Sequence, residues 1–75
     1  MKIGDIIISK AALWSYPKWN WDSEIWEITG EDIYKDGTER WELKKVNFFV
    51  CGCYRKDFVK EAYIAYNPIL EIIYG

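Results

Sequence analysis

The sequence contains no histidine, and other reactive side chains are scarce. Its 75 residues include two cysteines, one methionine and two prolines. Without an imidazole, the chain lacks the commonest general base and the commonest metal ligand. The carboxylates and hydroxyls that remain form no pattern that pairs a nucleophile with a base. We therefore expect a protein that is not an enzyme, with no catalytic residue, no cofactor and no metal ion.

The two cysteines, Cys51 and Cys53, are separated by a single glycine. On a β-strand this spacing directs both side chains to the same face. A disulfide between them would be strained, and a metal site would need further ligands. Because free cysteine usually behaves as a small hydrophobic residue, we expect two buried or half-buried thiols.

Charge of one sign is not concentrated anywhere in the chain. Ten Lys and Arg residues stand against twelve Asp and Glu residues, which gives a net charge of −2. Duplex nucleic acid is bound mainly through phosphate neutralisation, so this balance counts against such a partner. The first residues lack the apolar core of a signal peptide, and no run approaches transmembrane length. We expect a cytoplasmic protein with no membrane partner.

Aromatic residues, by contrast, are abundant, with five Trp, six Tyr and three Phe. A chain of 75 residues forms one domain with a small core. Large rings bury much apolar area per residue and so suit a small β-fold. We expect a single domain over residues 1–75.

The clearest local signal is a β-hairpin over Glu24–Val46. An Asp36-Gly37 pair lies between two runs of aromatic and β-branched residues, which predicts a two-residue type I′ turn. This turn pairs Lys35 with Thr38. Alternation along the strands then puts the larger apolar residues on one face, and these are Trp26, Ile28, Tyr34, Trp41 and Leu43.

Gly30 interrupts the first strand of this hairpin. A glycine inside a strand often marks a β-bulge, which shifts the pairing of the residues before it. Further strands are predicted at Ile3–Ser9 and Phe48–Tyr54 from their β-branched and aromatic content. Gly52 is a second candidate for a bulge or a close contact.

The remaining segments are less regular. Pro17 interrupts any strand ladder, so Tyr16–Ser23 is interpreted as a long loop rich in aromatic residues. The segment Asp57–Tyr66 fits either a short helix or a tight turn followed by a strand at Val59–Tyr63. The apolar tail Ile69–Tyr74 favours a final strand.

Four segments between Ala12 and Lys60 resemble motifs of SH3 domains. Ala12-Leu13-Trp14-Ser15-Tyr16 is similar to the Ala-Leu-Tyr-Asp-Tyr motif that opens these domains. Glu24-Ile25-Trp26 with Gly30-Glu31 resembles the end of their RT loop, and Trp41-Glu42-Leu43 resembles their Trp-Trp segment. The fourth segment, Gly52-Cys53-Tyr54-Arg55-Lys56-Asp57-Phe58-Val59, is similar to the motif Gly-x-Phe-Pro-x-Asn-Tyr-Val.

The resemblance implies an all-β fold, a small SH3-like antiparallel barrel of about five strands. The alternative is an α+β fold, an antiparallel sheet with one short C-terminal helix. In an SH3 domain the residue matching Trp41 lines a peptide groove, so partial exposure is expected for it. Arg55, Asp57 and Phe58 replace the proline, asparagine and tyrosine of the family. These replacements favour a folded protein over a proline-rich peptide as partner.

Aromatic residues beside a barrel commonly grip partners. Alternation around Asn20 puts Trp19 and Trp21 on one face, and both are expected to be exposed because a loop offers little core. Trp14 fits a position in the core and a position on the surface equally well. Under the resemblance, Asp22 and Glu24 recognise a basic side chain of the ligand. The predicted partner-binding residues are Trp14, Tyr16, Trp19, Trp21, Asp22, Glu24, Trp41, Tyr54, Arg55 and Phe58.

These residues predict a non-enzymatic protein-binding module, of the kind found among small bacterial or phage accessory and inhibitor proteins. Two alternatives stay open. One is a barrel that stacks single-stranded nucleic acid on Trp19 and Trp21. The other is a structural homodimer paired edge to edge through Ile69–Tyr74. The expected state is therefore a monomer or a homodimer.

Overall fold

The computed structural model describes residues 1–74 and contains a five-stranded antiparallel sheet with short helices on both faces. The strands are β1 (Ile6–Ser9), β2 (Ile25–Ile33), β3 (Glu39–Lys45), β4 (Cys51–Arg55) and β5 (Tyr63–Ala65). The helices are α1 (Lys10–Ser15), α2 (Lys56–Ala62) and α3 (Ile69–Tyr74), with a 3₁₀ helix at Lys18–Glu24. The strand order across the sheet is β4-β3-β2-β1-β5.

The sheet is open, so the predicted closure into a barrel is wrong. Its edges are β4, which pairs with β3, and β5, which pairs with β1. The prediction of five antiparallel strands is confirmed. Helical segments on both faces make the fold a small α+β arrangement rather than an all-β one. The alternative of a sheet with a short helix is closer, although the structure has three α-helices among the described residues.

The predicted hairpin is present as β2 and β3, but its turn differs from the prediction. The Gly37 amide donates to the Tyr34 carbonyl at 2.9 Å, and the Tyr34 amide donates to the Thr38 carbonyl at 2.9 Å. In this turn only Gly37 has a positive φ, of 87°. A type I turn followed by a left-handed glycine therefore replaces the type I′ turn. The pairing of Lys35 with Thr38 is wrong by one residue.

The bulge predicted near Gly30 is confirmed. The register of the β2–β3 pairing changes between Ile28 and Gly30. Beyond the bulge Ile28 lies opposite Leu43, and both side chains are fully buried. The observed turn is one residue longer than the predicted turn, which by itself shifts every pair of the hairpin by one residue. The extra residue at the bulge shifts the pairing once more, so that two apolar residues lie opposite each other. Tyr34, which the alternation predicts on the same apolar face, is exposed.

Both faces of the sheet carry a core. One core contains Ile7, Trp26, Ile28, Leu43 and Val59, and α2 covers it. The other contains Ile8, Ala12, Leu13, Trp21, Ile25 and Leu70, and it is covered by α1, the 3₁₀ helix and α3. β1, which is paired on both sides, supplies both, because Ile7 and Ile8 are consecutive and point to opposite faces. We call them the α2 core and the three-helix core.

Two predicted irregular or extended segments are helical. Most of Tyr16–Ser23, interpreted as a loop, lies in the 3₁₀ helix, and Ile69–Tyr74, expected as a strand, forms α3. In both, buried apolar side chains dock on the three-helix core, and this packing decides the local structure over the β-propensity of Trp, Ile and Tyr. The Asn67 side chain accepts a hydrogen bond from the Ile69 amide at 2.9 Å, at the start of α3.

The ambiguous segment after β4 contains both predicted alternatives in succession. It forms α2 and then the short strand β5, which pairs with β1. β4 itself begins at Cys51 and not at Phe48, because Val46 and Asn47 lie in a turn that precedes it. Within residues 1–74, no helix is both long and apolar enough to cross a bilayer.

Candidate partner-binding surfaces

Large apolar side chains are exposed on the three helical segments that cover the three-helix core. We define the helical-layer surface as Trp14, Tyr16, Trp19, Ile69, Ile72 and Ile73, all of which are exposed. The Lys18 ammonium lies 3.5 Å from the Glu71 carboxylate, so the 3₁₀ helix and α3 are neighbours. Exposed apolar side chains that are grouped in one layer are a feature of interaction sites.

The prediction that Trp19 and Trp21 are both exposed is wrong for Trp21. Trp19 is 79% exposed, whereas Trp21 is 2% exposed. A 3₁₀ helix has about three residues per turn, so residues two apart point in different directions. The Trp21 indole N–H donates to the Tyr16 carbonyl at 3.3 Å, which ties the 3₁₀ helix to the end of α1.

The two predicted acidic residues lie at the end of the 3₁₀ helix. Asp22 is exposed, and its carbonyl accepts a hydrogen bond from the Asn47 amide group at 3.3 Å. Glu24 is half-buried. Burial raises the pKa of Tyr63, and the charge of Glu24 raises it further. Glu24 therefore lies near Tyr63, which packs against the α2 core.

The remaining predicted residues lie on the other side of the sheet. Tyr54, Arg55 and Phe58 are gathered at a groove of about 540 Å³ along β4 and α2. The Tyr54 and Phe58 rings are stacked with centroids 6.4 Å apart. The Arg55 guanidinium contacts the Asp57 carboxylate at 3.0 Å. The β4 groove, as we name it, is lined by Arg40, Cys53, Tyr54, Arg55, Asp57, Phe58 and Glu61.

Trp41 is half-buried, as predicted, and it is also covered by a cation. The Lys56 ammonium lies 4.1 Å from the centre of its ring. Lys56 contacts the carboxylates of Glu31 and Glu39 as well. The hydrogen bond to Glu31 raises the pKa of Lys56. The accessible face of Trp41 is thus occupied by the protein's own side chain.

The predicted set is therefore two surfaces and not one. Trp14, Tyr16 and Trp19 project from the three-helix layer, whereas Trp41 and Tyr54 pack against the α2 core. The SH3-like spacing of the motifs gave no indication of this division. The sheet separates the two groups because the helical segments before β2 and the helix after β4 cover opposite faces.

One exposed segment was not predicted as a candidate. In the turn between β3 and β4, Val46, Phe48, Phe49 and Val50 are all exposed. The signal was present in the sequence as a run of apolar residues around Asn47. The same run predicts the start of a strand, because apolar runs of this length also fit buried strands.

The chain matches no family model, no curated protein and no solved structure. The resemblance to SH3 domains therefore rests on the motifs alone and stays a prediction.

Proposed function

We propose that the chain is a non-enzymatic module that binds a folded protein through the helical-layer surface. The observation that carries this proposal is the exposure of two Trp rings on anchored helices. Trp14 is 70% exposed and Trp19 is 79% exposed. Trp residues dominate the binding energy of many interfaces.

The backbone beneath these rings is held in place by the core. Trp14 follows Leu13, and Trp19 precedes Trp21 by two residues; Leu13 and Trp21 are both buried in the three-helix core. Rings that project from a fixed backbone lose less conformational entropy on binding than rings on a mobile loop. This arrangement favours recognition of a preformed surface, which is why we propose a folded partner.

The resemblance to SH3 domains, a family of protein-binding modules, supports the same class of function. Stacking of single-stranded nucleic acid has weaker support. Lys18 is the basic residue beside Trp19, and its ammonium is already paired with Glu71 at 3.5 Å. An edge-paired dimer through a strand at Ile69–Tyr74 is not supported, because this segment is helical.

The test is quantitative affinity capture with matched variants. Trp14→Ser/Trp19→Ser removes the exposed rings, and Phe58→Ser, in the β4 groove, is the control. We expect specific proteins to be captured by the wild type and the control but not by the double variant. With a purified partner, loss of each hot-spot ring should cost at least about 2 kcal/mol, or roughly 30-fold in Kd.

Retention of the partner by the double variant, with loss in Phe58→Ser, would move the site to the β4 groove. Sedimentation at several protein concentrations tests whether the chain associates with itself. If the wild type dimerises and the double variant does not, the partner is a second copy of the chain. Far-UV circular dichroism must show that all variants are folded before either result is interpreted.

A further inference from the structure

The thiols of Cys51 and Cys53 are exposed, which overturns the expectation that they are buried. Both are free and both lie on β4. Free cysteine is among the most frequently buried residues, so two exposed thiols on one edge strand call for an explanation. The strand is regular at this point, because Cys51 lies opposite Lys44 and Cys53 opposite Glu42 without a change in register.

The strand fixes the distance between the two side chains. Residues two apart on a strand share a face and are roughly 6.6 Å apart, at about 3.3 Å per residue. A disulfide needs Cβ atoms about 3.5–4.5 Å apart. The extended backbone of β4 therefore keeps the two thiols from closing into a relaxed disulfide.

A metal ion held between the two sulfurs spans a longer distance. With metal–sulfur bonds of about 2.3 Å, a linear thiolate–metal–thiolate unit separates the sulfur atoms by about 4.6 Å. Cβ–S bonds that lean toward each other from positions roughly 6.6 Å apart reach this separation without movement of the strand. The spacing thus suits a bridging ion better than a direct sulfur–sulfur bond.

The ligand set selects the kind of ion. Zinc sites almost always have four ligands. Within residues 1–74, no three or more His, Cys, Asp and Glu side chains gather as a metal-binding group. Glu42, opposite Cys53, is turned toward β2, where its carboxylate accepts a hydrogen bond from the Thr29 hydroxyl at 3.1 Å. Two thiolates without a third ligand suit a soft ion of low coordination number, and soft thiolates select Cu(I).

We propose that Cys51 and Cys53 form a two-coordinate site for a soft, thiophilic metal ion, with Cu(I) as its representative. Binding deprotonates both thiols, releases their protons to solvent and leaves a complex with one negative charge. Lys44, opposite Cys51, supplies positive charge on the same face of the sheet; the Arg55 guanidinium, two residues beyond Cys53, is already paired with Asp57 at 3.0 Å. The proposal is independent of the partner binding proposed above.

The test is anaerobic titration of the reduced protein with Cu(I) in competition with a chromophoric copper chelator. We expect one copper ion per monomer and an affinity that rises with pH. Cys51→Ser and Cys53→Ser should each weaken binding by more than about 100-fold, beyond what loss of an outer-shell partner costs. Glu42→Gln is the matched control and should leave the affinity unchanged. X-ray absorption should show two sulfur neighbours.

Other results would overturn the proposal. These are one copper ion per two chains, with dimerisation on loading; full affinity in either single-cysteine variant; or Zn²⁺ binding as tight as that of Cu(I). Since both cysteines are exposed, the serine variants should unfold at the same denaturant concentration as the wild type. A parallel titration of the Trp14→Ser/Trp19→Ser variant should give wild-type copper binding, which separates the two proposals.

Discussion

Trp19 and Trp21 offer a comparison of the same residue type, on the same helix, in opposite environments. Removing the Trp21 ring leaves a cavity in the three-helix core and frees the Tyr16 carbonyl that it binds. Replacement of a buried Trp by Ala lowers the free energy of unfolding by about 3–5 kcal/mol. Replacement of an exposed residue changes it by no more than about 0.5 kcal/mol. For 75 residues, the whole free energy of unfolding is roughly 4–11 kcal/mol. Trp21→Ala should therefore remove a large part of it, and Trp19→Ala almost none.

The assay is guanidinium unfolding of both variants, followed by far-UV circular dichroism and by fluorescence. We expect a much lower midpoint for Trp21→Ala and an unchanged midpoint for Trp19→Ala. Trp21→Phe keeps a ring in the cavity and should lie between them. Acrylamide quenching gives an independent check, because Trp19→Phe should remove an accessible fluorophore and Trp21→Phe should not.

Equal losses of stability in the two alanine variants would contradict this prediction, and so would a loss of less than about 1 kcal/mol in Trp21→Ala, which is below the range for a buried Trp. Either result would mean that the 3₁₀ helix does not hold Trp21 in the core. Equal slopes of free energy against denaturant are needed for the comparison, since a changed slope reports an altered unfolded or folded state.

Three further predictions concern the turn, the edge strand and pH. Gly37→Ala should cost about 1–2 kcal/mol in chemical unfolding, because φ is +87° there, and a change near zero would contradict the turn geometry. A Cβ at Gly52 would lie 3.1 Å from the Tyr54 ring. Gly52→Ala should therefore lower the free energy of unfolding by about 1–3 kcal/mol. An unchanged free energy of unfolding would contradict this prediction and show that the ring moves freely. Burial raises the pKa of Tyr63 and Tyr66 above 10.0. Because the folded state holds these protons more tightly, their contribution is full below pH 10 and is lost as pH rises through the folded-state pKa. Denaturation midpoints of Tyr63→Phe should fall less steeply above pH 10 than those of the wild type, and parallel curves would refute this.

Sequence reasoning succeeded where a signal was local and unambiguous. The hairpin and the bulge at Gly30 follow from short-range features that the structure keeps. The type of turn could not be predicted in this way, because Asp36-Gly37 is compatible with two turns that differ by one residue in register. The two turns are distinguished by the backbone at Asp36 and Gly37: in the structure Gly37 has a left-handed φ and Asp36 does not.

The helical segments could not be predicted for a different reason. The alternation of Trp19 and Trp21 has the period of a strand, and Ile69–Tyr74 has its composition. Both segments are short, and packing on the sheet overrides such weak preferences. The missed 3₁₀ helix also explains why Trp21 was assigned to the surface.

The site was harder to predict than the fold, because exposure depends on which face each helix covers. Trp14 and Trp41 belong to the first and third motifs of the SH3 resemblance, yet they lie on opposite sides of the sheet. The exposed thiols were missed for a similar reason. Cys51 and Cys53 alternate along β4 with the half-buried Gly52 and Tyr54, and both cysteines are exposed; the sequence alone does not reveal which face of the edge strand is exposed.

The position of β1 has a consequence for the order of folding. β1 pairs with β2, nearby in sequence, and with β5, near the other end of the described chain. Contacts between distant segments form late, because closing a long loop costs entropy before any contact compensates. The β2–β3 hairpin should form first, with Ile28 and Leu43 still uncovered. During synthesis, this apolar face stays exposed until α2 has been made. The unfinished chain is therefore a candidate for chaperone binding or aggregation.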